Sequence, residues 1–333
     1  MKKTLVVVCL VLALGTMLLT AGGAKEAGTS SGKLKVALLL SGPAKDQGWN
    51  AVAYAGLQEA QQKFNIETAY SENVGIADGE AAFRDYAAQG YGLVIGHGFQ
   101  FGEPAVRISS QFPNTKFMAI ESNTYSKNAA SYVMACEEAG YLMGMLAGSM
   151  SKSGVIGIVG GFEQPSIVKV LEAYKLGAKS VNPSIKVLEA YVSSFTDVAL
   201  GKEAALSMAD QGADVLSHCA NQAGTGVIKA AEERGLLSTG DSYDQNSIAP
   251  NTVMASTIYS VPALVLTAVE KVLGNTYEGG VFNLGMKDGV VDISGYNSFE
   301  AKIPQTVKDA IAAKRNEILG GSFKVPLIET RSK

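Results

Sequence analysis

The sequence contains few of the residues on which catalysis and metal binding usually depend. Its 333 residues include two histidines, three cysteines and one tryptophan. No His-Glu-x-x-His pair, clustered Cys/His set or Walker lysine pattern occurs, which argues against a zinc site and a nucleotide-phosphate loop. A Gly-x-Ser-x-Gly match at 28–32 has no strand before it, so the hydrolase elbow is missing. We therefore predict a protein that is not an enzyme and that needs no metal and no cofactor.

Charge is also sparse. Only 18% of the residues are charged, the formal net charge is -3, and no Lys/Arg cluster forms a basic stripe. We therefore expect no nucleic-acid partner and a small ligand. The hydrophobic content of 47% is ample for packed cores, and the length suggests roughly two domains.

The first 24 residues have the pattern of an export signal. Lys2 and Lys3 precede an apolar run at 5–19, and small residues follow at 21–24. A run of 15 apolar residues is short for a membrane span, whereas it matches the core of a secretory signal. We predict a signal peptide at 1–24.

A bacterial lipoprotein signal would carry a cysteine among these small residues. Gly22 stands at that place, and Cys9 lies inside the apolar core, where it cannot serve. We therefore predict a soluble exported protein of the periplasm, membrane-associated only if the atypical signal is still lipid-modified. A flexible Gly/Ser/Lys-rich tether is predicted at 25–33. The cysteines that remain after cleavage, Cys136 and Cys219, are predicted to be free buried thiols, because a large core needs no disulfide.

Beyond the tether, predicted strands and helices alternate. Residues 36–40 form a short apolar run typical of a buried parallel strand, and a polar loop follows at 41–50. Apolar residues then recur from Ala53 to Phe64 at the spacing of one helix face. The same plan restarts at Gly154. Such alternation implies an α/β fold of two similar lobes, each a mainly parallel sheet with helices on both faces.

We expect the chain to cross between the lobes near 131–136 and at least once more. The predicted division is an N-lobe at 34–134, a C-lobe at 135–255, a return to the N-lobe at 256–282, and a C-terminal segment at 283–333 whose lobe is left open. A last strand–helix–strand segment is predicted after Val281.

Aromatic and polar side chains follow the predicted strands at the points where they end. This set comprises Trp49, Phe99 and Phe195 together with Asp46, Asn50, Glu121, Asp241 and Asp244. Open α/β sheets bind ligands at the carboxyl ends of their strands, and ring faces with carboxylates suit a flat heteroaromatic ligand. Structural roles are the alternative, since Asp46 and Asn50 would also cap the next helix, and Phe99 and Phe195 would also serve as core residues. Trp49 is the strongest candidate because it lies in a polar loop, off the apolar stripe of the helix.

Four motifs resemble one known family. They are Asp-Gln-Gly-Trp-Asn at 46–50, Glu-Glu-Ala-Gly-Tyr-Leu-Met-Gly-Met-Leu-Ala-Gly at 137–148, Gly-Ala-Lys-Ser-Val-Asn-Pro at 177–183, and Gln-Gly-Ala-Asp-Val at 211–215. Together they resemble the basic membrane protein (PnrA-like) group of ABC-transporter substrate-binding proteins, from about Lys33 to the C-terminus. The resemblance implies a type I periplasmic-binding-protein fold, two lobes that close on a ligand, and delivery to a membrane permease. The best-known members of that group bind purine nucleosides.

The same resemblance implies roles for individual residues. Trp49 and Phe195 would sandwich a purine base, and Asp46 and Asn50 would be the polar members of the first loop. Glu121 occupies the place of the acid, usually aspartate, that ends the fourth strand.

Two positions depart from the family pattern. Ser242 stands where an aspartate usually holds the ribose, with Asp241 adjacent. Tyr259 replaces a lysine that usually lies three residues after the serine of the hinge strand, here Ser256. A buried sugar hydroxyl needs partners at each end, so these changes weaken the ribose site. A free nucleobase, or another flat ring system such as a flavin, therefore becomes credible.

We predict an extracytoplasmic solute-binding protein of an ABC importer that holds a purine nucleoside or free purine base between its lobes. The predicted ligand-binding residues are Asp46, Trp49, Asn50, Phe99, Glu121, Phe195, Asn221, Asp241 and Ser242. The expected partners are the small ligand and an ABC permease, with the protein itself a monomer. The alternatives are a riboflavin binder, a ligand-sensing module, or a periplasmic purine-processing enzyme that uses His97 or Glu121 as its base.

Overall fold

The first predicted strand is an inner strand of the first sheet and is buried on both faces. In the computed structural model, which describes residues 32–46 and 48–332, Val36, Leu38 and Leu40 pack into one apolar cluster. Ala37 and Leu39 pack into a second cluster on the opposite face. Successive side chains of a strand point to opposite faces, so an unbroken apolar run is what a strand covered on both sides requires.

The described residues contain twelve strands and nine α-helices. The strands are β1 (Lys35–Leu40), β2 (Glu67–Ser71), β3 (Leu93–His97), β4 (Lys116–Ile120), β5 (Ala129–Met134), β6 (Val155–Gly160), β7 (Lys186–Tyr191), β8 (Val215–Cys219), β9 (Leu237–Gly240), β10 (Val253–Tyr259), β11 (Val281–Leu284) and β12 (Val291–Ile293). The α-helices are α1 (Trp49–Phe64), α2 (Gly79–Ala88), α3 (Gly102–Ser109), α4 (Cys136–Met150), α5 (Pro165–Val181), α6 (Val198–Asp210), α7 (Asn221–Glu233), α8 (Val261–Leu273) and α9 (Gln305–Leu319). Short 3₁₀ turns lie at Ile76–Asp78, Phe99–Phe101, Asn246–Ile248, Met286–Asp288 and Asn297–Phe299.

The strands form two sheets of six with the same internal order. The first sheet runs β11-β5-β4-β3-β1-β2 and the second β12-β10-β9-β8-β6-β7. Every neighbouring pair is parallel except β10 with β12. We call the first sheet with its helices the first lobe and the second sheet with its helices the second lobe. The predicted α/β fold of two mainly parallel lobes is confirmed.

Helices cover both faces of each sheet. In the first lobe, α1 packs against α8 on one face, and α2 and α3 cover the other. In the second lobe, α5 packs against α4 on one face, and α6 and α7 cover the other. This layering leaves the carboxyl edges of the parallel strands free of helices, and it is there that a ligand can approach.

A row of glycines brings α4 and α5 into close contact. The glycines are Gly140, Gly144 and Gly148, and side chains added there would meet backbone atoms of Val170, Tyr174 and Ala178. The four-residue spacing places the three glycines on one face of α4. The helix that this row of glycines allows to approach closely is α5.

The chain crosses between the lobes after β5, after β10 and after β11. The predicted return to the first lobe at residue 256 is wrong by a few residues, because it falls inside β10. That strand stays in the second sheet to its end, where Thr257–Tyr259 pair with Val291–Ile293 of β12. The prediction of a final strand–helix–strand segment is also wrong. The observed order is β11, β12 and α9, with β11 in the first sheet and β12 in the second.

The predicted signal peptide at 1–24 and most of the predicted tether at 25–33 lie outside the described residues. Within the described part of the chain, no helix is both long and apolar enough to cross a membrane.

Candidate functional site

A cavity of about 520 Å³ lies between the two lobes, at the carboxyl edges of both sheets. Eight of the nine residues predicted to bind the ligand line it. They are Trp49, Asn50, Phe99, Glu121, Phe195, Asn221, Asp241 and Ser242. Residues far apart in the chain meet here because each follows a parallel strand, and the strands of a parallel sheet end at one edge.

Four cavity residues hold backbone conformations that L-amino acids rarely adopt. Glu121, Ser193, Asn221 and Ser242 have φ values of 61°, 53°, 48° and 72°. They follow β4, β7, β8 and β9, and all four line the cavity. Strained backbone of this kind concentrates at functional sites, where the surrounding structure compensates for its cost.

Asp46 is the predicted ligand residue that does not line the cavity. Its carboxylate is buried behind the cavity wall and accepts hydrogen bonds from the backbone N–H groups of Gly48, Asn50 and Ala51. The side-chain amides of Asn50 and Asn221 also donate to it, each at 2.9 Å. Burial alone would raise the pKa of Asp46, but the hydrogen bonds outweigh it and hold the pKa below its ordinary value. The predicted direct contact of Asp46 with the ligand is corrected, because Asp46 lies outside the cavity lining and its carboxylate already accepts five hydrogen bonds.

Trp49 lines the first-lobe side of the cavity and is half-buried. Its indole ring stacks on His97, with 4.0 Å between ring centroids. Nε2 of His97 lies 2.8 Å from the carbonyl oxygen of Trp49, which ties the imidazole to the same residue. Burial lowers the pKa of His97 to about 4, so the ring is neutral at physiological pH. His97 therefore supports the indole of Trp49 from behind as a buried, hydrogen-bonded residue.

Phe195 lines the second-lobe side of the cavity. Its ring centroid lies 5.0 Å from that of Phe162, and its carbonyl oxygen accepts a hydrogen bond of 3.1 Å from the backbone N–H of Ala223. Gly161 is required beside it, because any Cβ at that position would collide with the Phe195 ring. Phe99 and Phe162 also line the cavity and are 45% and 40% exposed, so they add two more aromatic rings to those of Trp49 and Phe195.

Glu121 lines the cavity but both of its carboxylate oxygens already have partners. The backbone N–H of Met134 donates to Oε1 at 2.6 Å, and Nζ of Lys169 donates to Oε2 at 3.1 Å. Lys169 is 2% exposed and also donates to the carbonyl oxygen of Met134 at 2.6 Å. Burial alone would lower the pKa of Lys169, but the carboxylates of Glu121 and Glu137 reverse this and raise it. A buried ion pair therefore joins α5 of the second lobe to the end of β4 in the first.

Asp241 also lines the cavity, and in the described part of the chain three hydroxyl groups donate to its carboxylate. Thr257 and Tyr259 donate to its Oδ1 at 2.9 and 3.0 Å, and Ser242 donates to its Oδ2 at 3.1 Å. Burial and the neighbouring Asp241 carboxylate raise the pKa of Tyr259 well above its ordinary value, so the phenol stays protonated and donates. Among the described residues that line the cavity there is no lysine and no arginine.

Cys136 and Cys219 also line the cavity, as free buried thiols. Burial raises the pKa of both, so they remain neutral. The prediction of unpaired cysteines is confirmed. In residues 32–46 and 48–332, no three His, Cys, Asp or Glu side chains come together as metal ligands would.

Sequence reasoning missed three contributors to this site. Phe162 lies in the loop after β6, which corresponds to the Trp49 loop after β1, and the strand-end rule would have found it. Tyr259 was noted only as a departure from a family pattern, and its bond to Asp241 depends on the register of β9 and β10. Lys169 gave no signal, because a lysine in an amphipathic helix is normally exposed.

Residues 33–328 match the family described as ABC transporter substrate-binding protein PnrA-like. The chain belongs to this family. The predicted resemblance is thereby confirmed, and the PnrA-like proteins are extracytoplasmic substrate-binding components of ABC transporters, with a small-molecule ligand and a transporter as partners.

The chain is similar to two relatives by sequence and to one solved structure by fold. An ABC transporter nucleoside-binding protein of Lactococcus lactis subsp. cremoris is 28% identical, over 98% of this chain and 99% of that protein. A purine-binding protein of Brucella abortus is 28% identical, over 87% of this chain and 83% of that protein. An ABC transporter solute-binding protein from Aeropyrum pernix has the same fold, with a TM-score of 0.80 at 23% identity over 89% of this chain and 94% of that chain.

Proposed function

We propose that this PnrA-like protein binds a purine between its lobes, prefers the free base to the nucleoside, and delivers it to an ABC permease. The observation that carries the proposal is that Trp49 and Phe195, from opposite lobes, line one cavity together with the rings of Phe99 and Phe162. Stacking on aromatic side chains binds any flat ring, and one base–aromatic stack contributes about 1–3 kcal/mol.

The electrostatics of the cavity favour an uncharged purine over a phosphorylated one. Two carboxylates, of Glu121 and Asp241, line the cavity, whereas the described lining has no lysine or arginine. Lys169 supplies one buried positive charge, but its ammonium is already bound to Glu121 and Met134. A phosphate would therefore meet like charge without a counter-charge, which is costly where water is excluded.

The partners of Asp241 support the free base over the nucleoside. A carboxylate offers about four acceptor positions, and three of them are already filled by Ser242, Thr257 and Tyr259. One N–H of a purine ring would complete the set. The two hydroxyls of a ribose would bring more donors than the carboxylate can accept and would leave one of them unpaired.

The names of the relatives support the ligand class without deciding between base and nucleoside. The protein of Brucella abortus is named for purine binding and that of Lactococcus lactis for nucleoside binding, each at 28% identity. Both ligands contain the flat ring system that the aromatic walls suit.

The two residues considered as general bases, His97 and Glu121, are both engaged within the chain, which supports a transport role over catalysis. His97 is buried and neutral beneath Trp49, and both oxygens of Glu121 are bound within the chain. Incubation with adenine, adenosine or guanosine should return each compound with unchanged mass. Formation of a product would overturn this part of the proposal.

The sequence before the described residues supports export. Lys2, Lys3 and the apolar run at 5–19 match a secretory signal, and Gly22 stands in place of a lipid-modified cysteine. We propose a mature soluble monomer. Intact mass of the protein released from cells, together with its sedimentation, should give a chain cleaved near 21–24, free of lipid and monomeric.

The deciding experiment begins with the ligand that the protein already carries. Mass spectrometry of small molecules released by denaturation should find a purine. Calorimetric titration of the emptied protein with adenine, adenosine, AMP and riboflavin should then give adenine as the tightest ligand, adenosine at least about tenfold weaker, and AMP without binding. Tight riboflavin binding without purine binding, or release of a sugar or peptide, would overturn the proposal.

Tyr259→Phe tests the role of Asp241 in this preference. The variant removes one of the three hydroxyl donors and frees an acceptor, so adenosine affinity should rise relative to adenine affinity. Tyr277→Phe is the matched control, because that buried phenol donates to the carbonyl oxygen of Phe117, away from the cavity lining. An affinity ratio that is the same in both variants and in the wild type would contradict the role of Asp241.

A further inference from the structure

Asn221 joins the two lobes through its side-chain amide. It is the first residue of α7 in the second lobe, and it bonds to Asp46 in the loop before α1 and to Trp49, the first residue of α1, in the first lobe. Its Oδ1 accepts a hydrogen bond of 2.9 Å from the backbone N–H of Trp49. Its Nδ2 donates a hydrogen bond of 2.9 Å to Oδ2 of Asp46. The donor and the acceptor of the Asn221 amide are therefore both paired, and both partners belong to the first lobe.

Two features of the backbone make this bridge possible. The φ of 48° at Asn221 lies in the left-handed region, which asparagine tolerates better than most residues, and this conformation places the amide toward the first lobe. Gly48 faces it, and a Cβ at Gly48 would collide with Oδ1 of Asn221. The bridge that the left-handed backbone of Asn221 allows therefore depends on a glycine at position 48 of the first lobe, where a side chain would leave no room for the amide.

The bridge is fixed at its far end by a buried charge. Asp46 is 3% exposed and holds the loop together through its bonds to Gly48, Asn50 and Ala51. A hydrogen bond to a charged group is stronger than one between neutral groups. Because Asp46 also holds residues 48–51 in place, the bond from Asn221 to Asp46 ties the position of this segment, and of Trp49 within it, to the second lobe.

We propose that Asn221 is a positioning residue that fixes Trp49 in its ligand-stacking place while the lobes are in contact, as they are in this structure. Lobe closure then completes the aromatic wall and holds the ligand in one step. The ligand is retained because its release requires the bridge to open. This inference rests on the proposed function for the identity of the ligand, whereas the placement of Trp49 is testable without any ligand.

The only tryptophan in the sequence is Trp49, so intrinsic fluorescence reports on it alone. Asn221→Gly removes the amide and accommodates the positive φ, and Asn221→Asp keeps the acceptor for Trp49 while losing the donor to Asp46. Gly48→Ala breaks the same bridge from the other lobe, since only the flexible end of Asn221 must move. The matched control is Asn65→Gly, which makes the same change at an exposed residue with φ of 50°.

The proposal predicts a common result for the three bridge variants. Relative to wild type and Asn65→Gly, the ligand-free emission of Trp49 should shift to the red and its quenching by acrylamide should rise. The dissociation rate of adenine, measured by stopped-flow fluorescence, should increase about tenfold or more. The unfolding midpoint followed by circular dichroism should stay close to that of the control, which separates positioning from folding.

Two results would overturn the proposal. One is a Trp49 emission and quenching in all three variants that match the control. The other is a fall in unfolding midpoint large enough that partly unfolded protein explains the whole change in Trp49 emission and quenching. If adenine fails to bind the wild type, the proposed ligand is wrong, while the emission comparison still decides whether Asn221 positions Trp49.

Discussion

The indole of Trp49 and the imidazole of His97 are stacked with 4.0 Å between their centroids and 22° between their planes. His97 is fully buried at the end of β3, whereas Trp49 is half-buried and lines the cavity. His97 therefore supports one face of the Trp49 indole, while the indole remains available to a ligand in the cavity. Preorganisation of this kind lowers the entropy cost of binding, because the ring does not have to be ordered by the ligand.

Trp49→Ala should weaken adenine binding by about 1–3 kcal/mol, which is the loss of one base–aromatic stack. Trp49→Phe keeps an aromatic face and should lose less. Calorimetric titration gives the affinities, and thermal unfolding gives the stability of each variant. An unchanged affinity combined with a large fall in melting temperature would make Trp49 a core residue and contradict its assignment to the ligand wall.

The pKa of His97 predicts a pH dependence of stability. Burial lowers this pKa to about 4 from 6.5 in the unfolded chain. Between these two values the unfolded chain binds a proton that the folded protein does not bind. The stabilisation is therefore complete above pH 6.5 and is lost as the pH falls toward 4, by about 3 kcal/mol in total.

Denaturant unfolding of wild type and His97→Phe between pH 4 and pH 7.5 measures this contribution. The phenyl ring keeps a stacking partner for Trp49 and does not titrate, so the pH profile of the variant should be shallower. It should not be flat, because burial also lowers the pKa of His218, which contributes with the same sign. Parallel profiles for the two proteins would show that His97 is not the group responsible.

The ion pair of Lys169 with Glu121 should be sensitive to the loss of either partner. Lys169→Met leaves the buried Glu121 carboxylate without its cation and should cost about 3–5 kcal/mol of unfolding free energy. Glu121→Gln should also destabilise, because the buried ammonium loses its partner. The loss of unfolding free energy in the double variant should be clearly smaller than the sum of the losses in the two single variants, because neither member of the ion pair is then left with an unpaired charge.

Urea unfolding of the four proteins completes this double-mutant cycle. The carboxylate of Glu137 lies 4.0 Å from Nζ of Lys169, so part of the cost of Lys169→Met should survive in the double variant. Strict additivity of the two single changes would contradict a direct interaction between Lys169 and Glu121.

Gly144→Ala should destabilise the second lobe. The new methyl group would collide with the backbone carbonyl of Tyr174, so α4 and α5 would have to move apart. The expected cost is about 1–3 kcal/mol, and chemical denaturation measures it. Gly295→Ala is the control, because nothing lies within 4 Å of a Cβ there. Equal stability of the two variants would contradict the close helix packing.

Much of the fold follows from local patterns in the sequence. The apolar run at 36–40 predicts a buried strand, and β1 spans Lys35–Leu40; the helix face predicted from Ala53 to Phe64 lies within α1. The spacing of apolar side chains depends only on residues close together in the sequence, so it predicts a strand or a helix without information about its packing partner. The same local signal fails after Val281, where β11 and β12 are short and belong to different sheets.

The sequence alone determined that aromatic rings and carboxylates stand at the ends of parallel strands, because that depends only on where each apolar run stops. It determined equally that the two cysteines need no partner. Only the tertiary structure decided what those side chains bind. Asp46 and Asn221 are 175 residues apart, and the bond that turns Asp46 from a ligand residue into an anchor exists only once the lobes are in contact. Partners of this kind are set by the topology that brings strand ends together, and no local pattern encodes them.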